Sequence, residues 1–145
     1  MILDAYAAFL TALSVPFFTT NGFAVEIQGI MIDVTVTRSG MITLSSYIDV
    51  CTDLAAAENL SSALSARFRG YKIWPEKYSG YYEVEIESFF PYSDIPSLHE
   101  RVVAMADVVE TQRIKYFLYI YWRFKTERMY KSPSTDMILL DGNGN

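Results

Sequence analysis

The spacing of apolar residues along the chain predicts where helices and strands lie. Near the N-terminus apolar side chains recur at intervals of three and four, which indicates one stripe of a helix that ends near Pro16: Ile2, Tyr6, Phe9, Leu13 and Phe17. From Phe23 the interval falls to two. The segments "FAVEIQ", "IMIDVTVT" and "MITLSSYIDV" alternate in this way, with a tight turn or a bulge at Gly29 and a turn at "RSG". They predict three consecutive antiparallel strands.

The middle of the chain predicts a second helix and two more strands. In "TDLAAAENLSSALSARFRG" Asp53 can cap the start, and Gly70 stands where a C′ glycine belongs. The apolar stripe of this helix is Ala57, Leu60, Leu64 and Phe68. We interpret "YKIW" as a strand, "PEKYSG" as a loop and "YYEVEIES" as a strand. The last strand places apolar and acidic residues on opposite faces: Tyr82, Val84 and Ile86 on one, and Glu83, Glu85 and Glu87 on the other. Three carboxylates in a row are more typical of a solvated face than of a metal site.

The C-terminal segment "RIKYFLYIYWRFK" can be interpreted as helix or strand. Its aromatic and branched residues favour a strand. However, no turn residue interrupts the chain between the loop "FFPYSDIPSL" and Pro133, so we predict one helix from about Ser97 to about Arg128. The large residues 116–122 would then surround the helix axis and need cover from more than one side. This predicts a protein-binding or dimer interface at Tyr116, Tyr119, Ile120, Trp122, Arg123 and Phe124.

These elements predict the α+β class: an antiparallel sheet of about five strands packed by helices, in the order α-β-β-β-α-β-β-α with a long C-terminal helix. The chain of 145 residues suits one domain. We expect this domain to cover residues 1–131 and residues 132–145 to form a poorly ordered tail.

The charge of the chain is divided unevenly. Residues 113–131 hold 6 of the 12 basic residues but only one of the 17 acidic residues, so this segment is +5 and the remainder is −10. One interpretation is a solvated basic end; the other is a docking surface for an acidic partner or for an acidic patch of a second copy. The acidity of the remainder argues against nucleic acid as the partner.

The residue patterns give no catalytic or ligand-binding constellation. We interpret His99 as a surface residue and Cys51 as a small core residue, because neither has a partner at a motif spacing. The chain has no HExxH, CxxC, GxSxG, GxGxxG or GxxxxGK[ST] motif, so we expect no metal, no cofactor and no enzymatic activity. A single cysteine, no basic leader and no apolar run of about 18 residues predict a cytoplasmic protein without a membrane segment.

Two stretches carry a family resemblance. "ENLSSALSARFRGYKIWPEKYSGYYEVEIES" and "FFPYSDIPSLHERVVAMADVVE", together with the order of elements, resemble the type III secretion chaperone-like superfamily, which includes the YbjN-like proteins. The resemblance implies a homodimer that binds a protein segment and has no catalytic residues. We therefore expect a non-enzymatic, chaperone-like protein-binding module. The alternative is a small acidic inhibitor or immunity-type protein, of the kind that phages encode, which blocks a partner protein.

Overall fold

The structure is a computed structural model, and it describes the backbone of residues 1–128 and the side chains of residues 1–113. The chain forms two compact units, Met1–Glu110 and Thr111–Asn145. The described part of the second unit is helical backbone as far as Arg128. The predicted tail, residues 132–145, lies outside the described residues.

Three helices and six strands make up the described chain. The helices are α1 (Ile2–Ala12), α2 (Leu54–Arg67) and α3 (Ile95–Arg128). The strands are β1 (Phe17–Phe18), β2 (Phe23–Ile27), β3 (Ile30–Val36), β4 (Met41–Cys51), β5 (Lys72–Tyr78) and β6 (Tyr81–Pro91). All neighbouring strands are antiparallel, in the order β1-β2-β3-β4-β6-β5. The predicted α+β class and the order of its elements are confirmed.

The core of the Met1–Glu110 unit lies between the helices and one face of the sheet. Alternate residues of the strands point into it, which is why the period of two in β3 appears as strict alternation of buried and exposed positions. The helices contribute buried side chains to the same cluster: Tyr6, Leu10, Ala57, Leu64, Leu98, Val102, Met105, Ala106 and Val109. The described helices of this unit therefore cover one face of the sheet.

The first helix is shorter than its apolar stripe predicted. It ends at Ala12, and Ser14 adopts a left-handed backbone conformation (φ 58°) that turns the chain. Phe17 then pairs with Val25 in the extra strand β1. The buried positions of α1 are Tyr6 and Leu10, whereas Leu13 is exposed, so the predicted stripe was wrong at its end. The turn at Gln28 and Gly29 is confirmed: both have positive φ, as a two-residue hairpin turn that matches strand twist requires.

The predicted loop "PEKYSG" is mostly strand. β5 continues through Pro75 to Tyr78, and Ser79 and Gly80 alone form the hairpin turn. A proline is tolerated there because β5 is an edge strand. The predicted C′ glycine was also wrong, because α2 ends at Arg67 with Phe68 as its C-cap and Gly70 has no left-handed φ.

The long C-terminal helix is confirmed by the backbone. Asp94 caps its start by accepting a hydrogen bond from the Ser97 N–H at 2.8 Å. That bond holds the pKa of Asp94 below its ordinary value, because it stabilises the carboxylate form. α3 begins at Ile95 and stays helical through residues 114–124, so the strand interpretation of this segment was wrong. Residues without turn signals continue a helix more readily than their β propensity suggests.

Candidate protein-binding face

The sheet has a second face that none of the helices in Met1–Glu110 covers. We call it the open face and define it by the strand residues that alternate with the core positions: Ala24, Glu26, Met31, Asp33, Thr43, Ser45, Tyr47, Lys72, Trp74, Glu76, Tyr78, Glu83, Glu85, Glu87 and Phe89. Phe18 lies opposite Ala24, and Val50 opposite Glu83, on the same side.

Large apolar side chains are concentrated on the open face. Ten large hydrophobic residues are exposed among the described side chains, and six of them lie here: Phe18, Met31, Tyr47, Val50, Tyr78 and Phe89. Phe89 is the most exposed of the six, at 62%. Exposed apolar side chains at this density on one sheet face are typical of an interaction site.

Glu85 lies on the open face in β6, between the strands β4 and β5. Tyr47 of β4 is directly opposite it on one side, and Trp74 of β5 is opposite it on the other. Cβ atoms of such cross-strand pairs lie about 5 Å apart, so the two rings flank the carboxyl group. The register of β4 shifts between Tyr47 and Asp49, and this bulge increases the local twist beside Glu85. The carboxyl group is thereby partly removed from water.

The strand β5 supplies an ordered row beside Glu85. The Trp74 Nε1–H donates to Glu76 Oε1 at 3.1 Å, and the Lys72 ammonium lies 4.7 Å from the centre of the indole ring. The indole therefore has a cation over its face and an anion at its edge. At the hairpin end the rings of Tyr78 and Tyr81 stack, with centroids 5.2 Å apart. The row therefore presents aromatic rings with polar groups at their edges.

The electrostatics of the open face are those of crowded carboxyl groups. The pKa of Glu85 is raised from 4.5 to about 8, mainly by burial and then by a hydrogen bond with Glu83 and the charges of Glu83, Glu76 and Asp33. Burial also raises the pKa of Asp33. One Glu85 oxygen is buried without a hydrogen-bond partner in the described structure. At neutral pH the Glu85 carboxyl therefore keeps its proton, and a cation placed on this face would release it.

The edges of the sheet are less suited to binding than its face. The Ser65 hydroxyl of α2 donates to the Ile73 carbonyl of β5 at 3.2 Å, so that carbonyl points away from β6. In an antiparallel edge strand every second residue points its backbone N–H and C=O away from the sheet. After Ile73 the next such residue is Pro75, which has no N–H to offer an added strand. The other edge strand, β1, has only two residues. Strand addition at either edge is therefore restricted.

Two clefts are lined by residues of the described part of the chain. One, of about 500 Å³, runs between α2 and β5 and is lined by Glu58, Ser61, Ser62, Ser65, Ile73, Trp74 and Pro75. The other, of about 210 Å³, lies at the start of α3 and includes Phe90, Ser97 and Arg101. The larger one offers serine hydroxyls and one carboxyl group but no histidine or lysine that could activate them.

His99 and Cys51, the two side chains of the chain best suited to nucleophilic or acid–base catalysis, both pack against the core. His99 is half-buried rather than a surface residue, so that interpretation was wrong: Tyr6 Oη lies 2.9 Å from its Nδ1, and its ring packs edge-on against Phe9. A neutral imidazole protonated at Nε2 would accept this hydrogen bond. Burial lowers the pKa of His99. Cys51 ends β4, partly buried against the core as predicted, and burial and the charges of Asp49 and Asp53 raise its pKa, which makes the thiol less reactive.

The interface predicted from the sequence lies outside the described side chains. The backbone of α3 contains Tyr116, Tyr119, Ile120, Trp122, Arg123 and Phe124. Their role remains a prediction. Sequence reasoning missed the open-face residues Tyr47, Trp74 and Phe89. Treating "YKIWPEKY" as one strand would have placed Trp74 and Glu76 on the same face as the acidic row of β6, but Pro75 concealed that alternation.

Comparison of the sequence with protein-family models and with curated proteins found no match. Within the described residues, no group of three or more His, Cys, Asp or Glu side chains has a metal-binding arrangement. Over the same part of the chain, none of the helices is long and apolar enough to cross a bilayer.

Proposed function

We propose that this chain is a non-enzymatic protein-binding module that acts as a homodimer and binds a basic protein segment on its open face. The observation that carries the proposal is the concentration of exposed aromatic and acidic side chains on the open face of the sheet. Tyrosine and tryptophan are favoured at protein interfaces because each combines a large apolar surface with a polar group. The resemblance to the type III secretion chaperone-like superfamily supports the same class of function.

A basic partner follows from the chemistry of the face. Glu76, Glu83 and Glu85 form its acidic centre, beside the stacked rings of Tyr78 and Tyr81. A segment with lysine or arginine next to apolar side chains would neutralise the carboxylates and cover the rings together. Electrostatic complementarity of this kind contributes mainly orientation and association rate, and the aromatic contacts contribute most of the affinity.

The acidic face also favours a second candidate, a small inhibitor or immunity-type protein that blocks a basic partner. The two candidates differ in what happens to the partner. A chaperone-like module keeps its partner soluble and leaves the partner's own activity available after release. An inhibitor abolishes that activity in a stoichiometric complex, which an activity titration of the captured partner would show.

The proposal is tested by capturing partners from the native host with three forms of the full chain. The wild type is compared with a face variant, Glu76→Lys with Glu83→Lys, and with a control of equal charge change, Glu100→Lys with Asp107→Lys, on the exposed side of α3. We expect one protein that the wild type and the control retain in stoichiometric amount and the face variant loses. A protein that all three retain equally would place the binding surface elsewhere, and recurrent capture of a small metabolite would favour an enzyme.

The non-enzymatic part of the proposal has its own test. We expect His99→Ala and Cys51→Ala to leave partner binding unchanged once each variant is shown to be folded, because neither side chain lies on the open face. Loss of function in either variant with an unchanged melting curve would contradict the proposal.

A further inference from the structure

We infer that the open face of one copy binds the basic aromatic segment, residues 113–131, of a second copy. The inference rests on the proposed function and names one occupant of the same face. It joins two features that stand apart in the chain: a sheet face rich in carboxyl groups and exposed rings, and a sequence segment that holds 6 of the 12 basic residues and a run of large apolar residues.

The chemistry of the two surfaces is complementary. The open face presents Glu76, Glu83 and Glu87 around Glu85, and its one lysine, Lys72, lies over the Trp74 ring. The segment presents Arg113, Lys115, Arg123, Lys125, Arg128 and Lys131, with Glu127 as its only acidic residue. Ion pairs between the two would be partly shielded by the neighbouring aromatic side chains, where they are less weakened by solvent than on an open surface.

The apolar residues of the segment favour the same pairing. The backbone of residues 116–122 is helical, so seven consecutive large residues are distributed around one helix axis. Such a helix needs apolar cover on more than one side. The open face offers exposed rings at both of its ends, Tyr78 at one and Phe89 at the other, for such cover on the second copy.

A two-fold dimer pairs both open faces with both basic segments. Each copy contributes one open face and one basic segment, so the contact is made twice and leaves neither surface unpaired. A partner protein with a similar basic segment would displace the second copy from the face, so the homodimer of this inference is the form present before the partner binds.

The test is an exchange of charges between face and segment in the full chain. The face variant is Glu76→Lys with Glu83→Lys, and the segment variant is Lys125→Glu with Arg128→Glu. Sedimentation equilibrium is measured for the wild type, each variant alone and their equimolar mixture. We expect a wild-type dimer, at least about a tenfold weaker dimer for each variant alone, and a restored dimer in the mixture, in which both contacts again join opposite charges.

The control Glu100→Lys with Asp107→Lys should dimerise as the wild type does. A monomeric wild type, a face variant that dimerises normally, or a mixture no more associated than its components would overturn the inference. If mixing the two variants does not restore the dimer, the basic segment binds the open face of its own chain or does not bind an open face. Loss of the dimer with retained, face-dependent capture of another protein would refute this inference and leave the proposed function standing.

A second measurement does not depend on charge variants that could misfold. A photo-crosslinking amino acid replaces the exposed Phe89, and unlabelled and nitrogen-15-labelled copies are mixed before irradiation. We expect cross-links from position 89 to residues 113–131 that join a labelled to an unlabelled chain. Cross-links confined to chains of one label, or absent from this segment, would overturn the inference.

Discussion

The substitution Glu85→Gln tests whether the open face holds a carboxyl group that resists ionisation. In the folded chain its pKa is raised from 4.5 to about 8, first by burial between neighbouring side chains and then by Glu83, Glu76 and Asp33. Glutamine keeps the size and hydrogen-bonding capacity of the protonated acid but cannot ionise. The variant therefore removes the cost of the charge and little else.

The sign of the effect follows from proton binding. Between about pH 4.5 and about pH 8 the folded state holds a proton on Glu85 that the unfolded chain has lost, so wild-type stability falls as the pH rises through this window. Each pKa unit corresponds to about 1.4 kcal/mol, which sets an upper limit of about 5 kcal/mol. Glu85 is only half-buried, and solvent screening reduces the expected effect to about 1–2 kcal/mol.

The assay is urea denaturation of the wild type and the variant at about pH 5 and about pH 9, followed by circular dichroism. We expect nearly equal free energies of unfolding at the lower pH, and a variant more stable than the wild type by about 1–2 kcal/mol at the higher pH. Glu100→Gln, at an exposed position of α3, is the matched control and should show no such difference. If Glu85→Gln changes the free energy of unfolding equally at both pH values, the carboxyl group ionises normally and the cause we assign to its pKa is wrong.

Three further outcomes are expected. Binding of a cationic segment should favour ionised Glu85, so the association constant should rise between about pH 6 and about pH 9, and calorimetry in two buffers should detect proton release that Glu85→Gln removes. Tyr119→Glu with Trp122→Glu should convert the wild-type dimer to a folded monomer in sedimentation equilibrium; a mutant that stays dimeric would place the interface elsewhere. Tyr6→Phe should lower the free energy of unfolding by about 1 kcal/mol, because it removes the hydrogen bond to His99. Burial lowers the pKa of His99, so the unfolded chain binds a proton there first and wild-type stability should decrease as the pH falls below about 6.5. Denaturation that shows neither effect would argue against the Tyr6–His99 contact.

Local patterns in the sequence determined the α+β class and the order of the elements. Alternation in "IMIDVTVT" and the face separation in "YYEVEIES" correspond to β3 and β6, because a strand with one buried face requires a period of two. Asp53 caps the helix it was predicted to cap, since an N-cap acts within three residues of itself. Absence of a turn signal after Pro96 was sufficient to predict the length of α3.

Features that depend on distant parts of the chain were decided only by the tertiary structure. Pro75 is compatible with a strand because β5 is the outermost strand of the sheet, and the sequence of β5 alone does not show where a strand lies in its sheet. The half-buried His99 depends on Tyr6, which lies 93 residues earlier in the chain. The raised pKa of Glu85 requires β4, β5 and β6 to bring Tyr47, Trp74 and Glu76 around one carboxyl group. Burial and charge interactions act through space, and the register that creates them is set by the packing of the whole sheet against its helices.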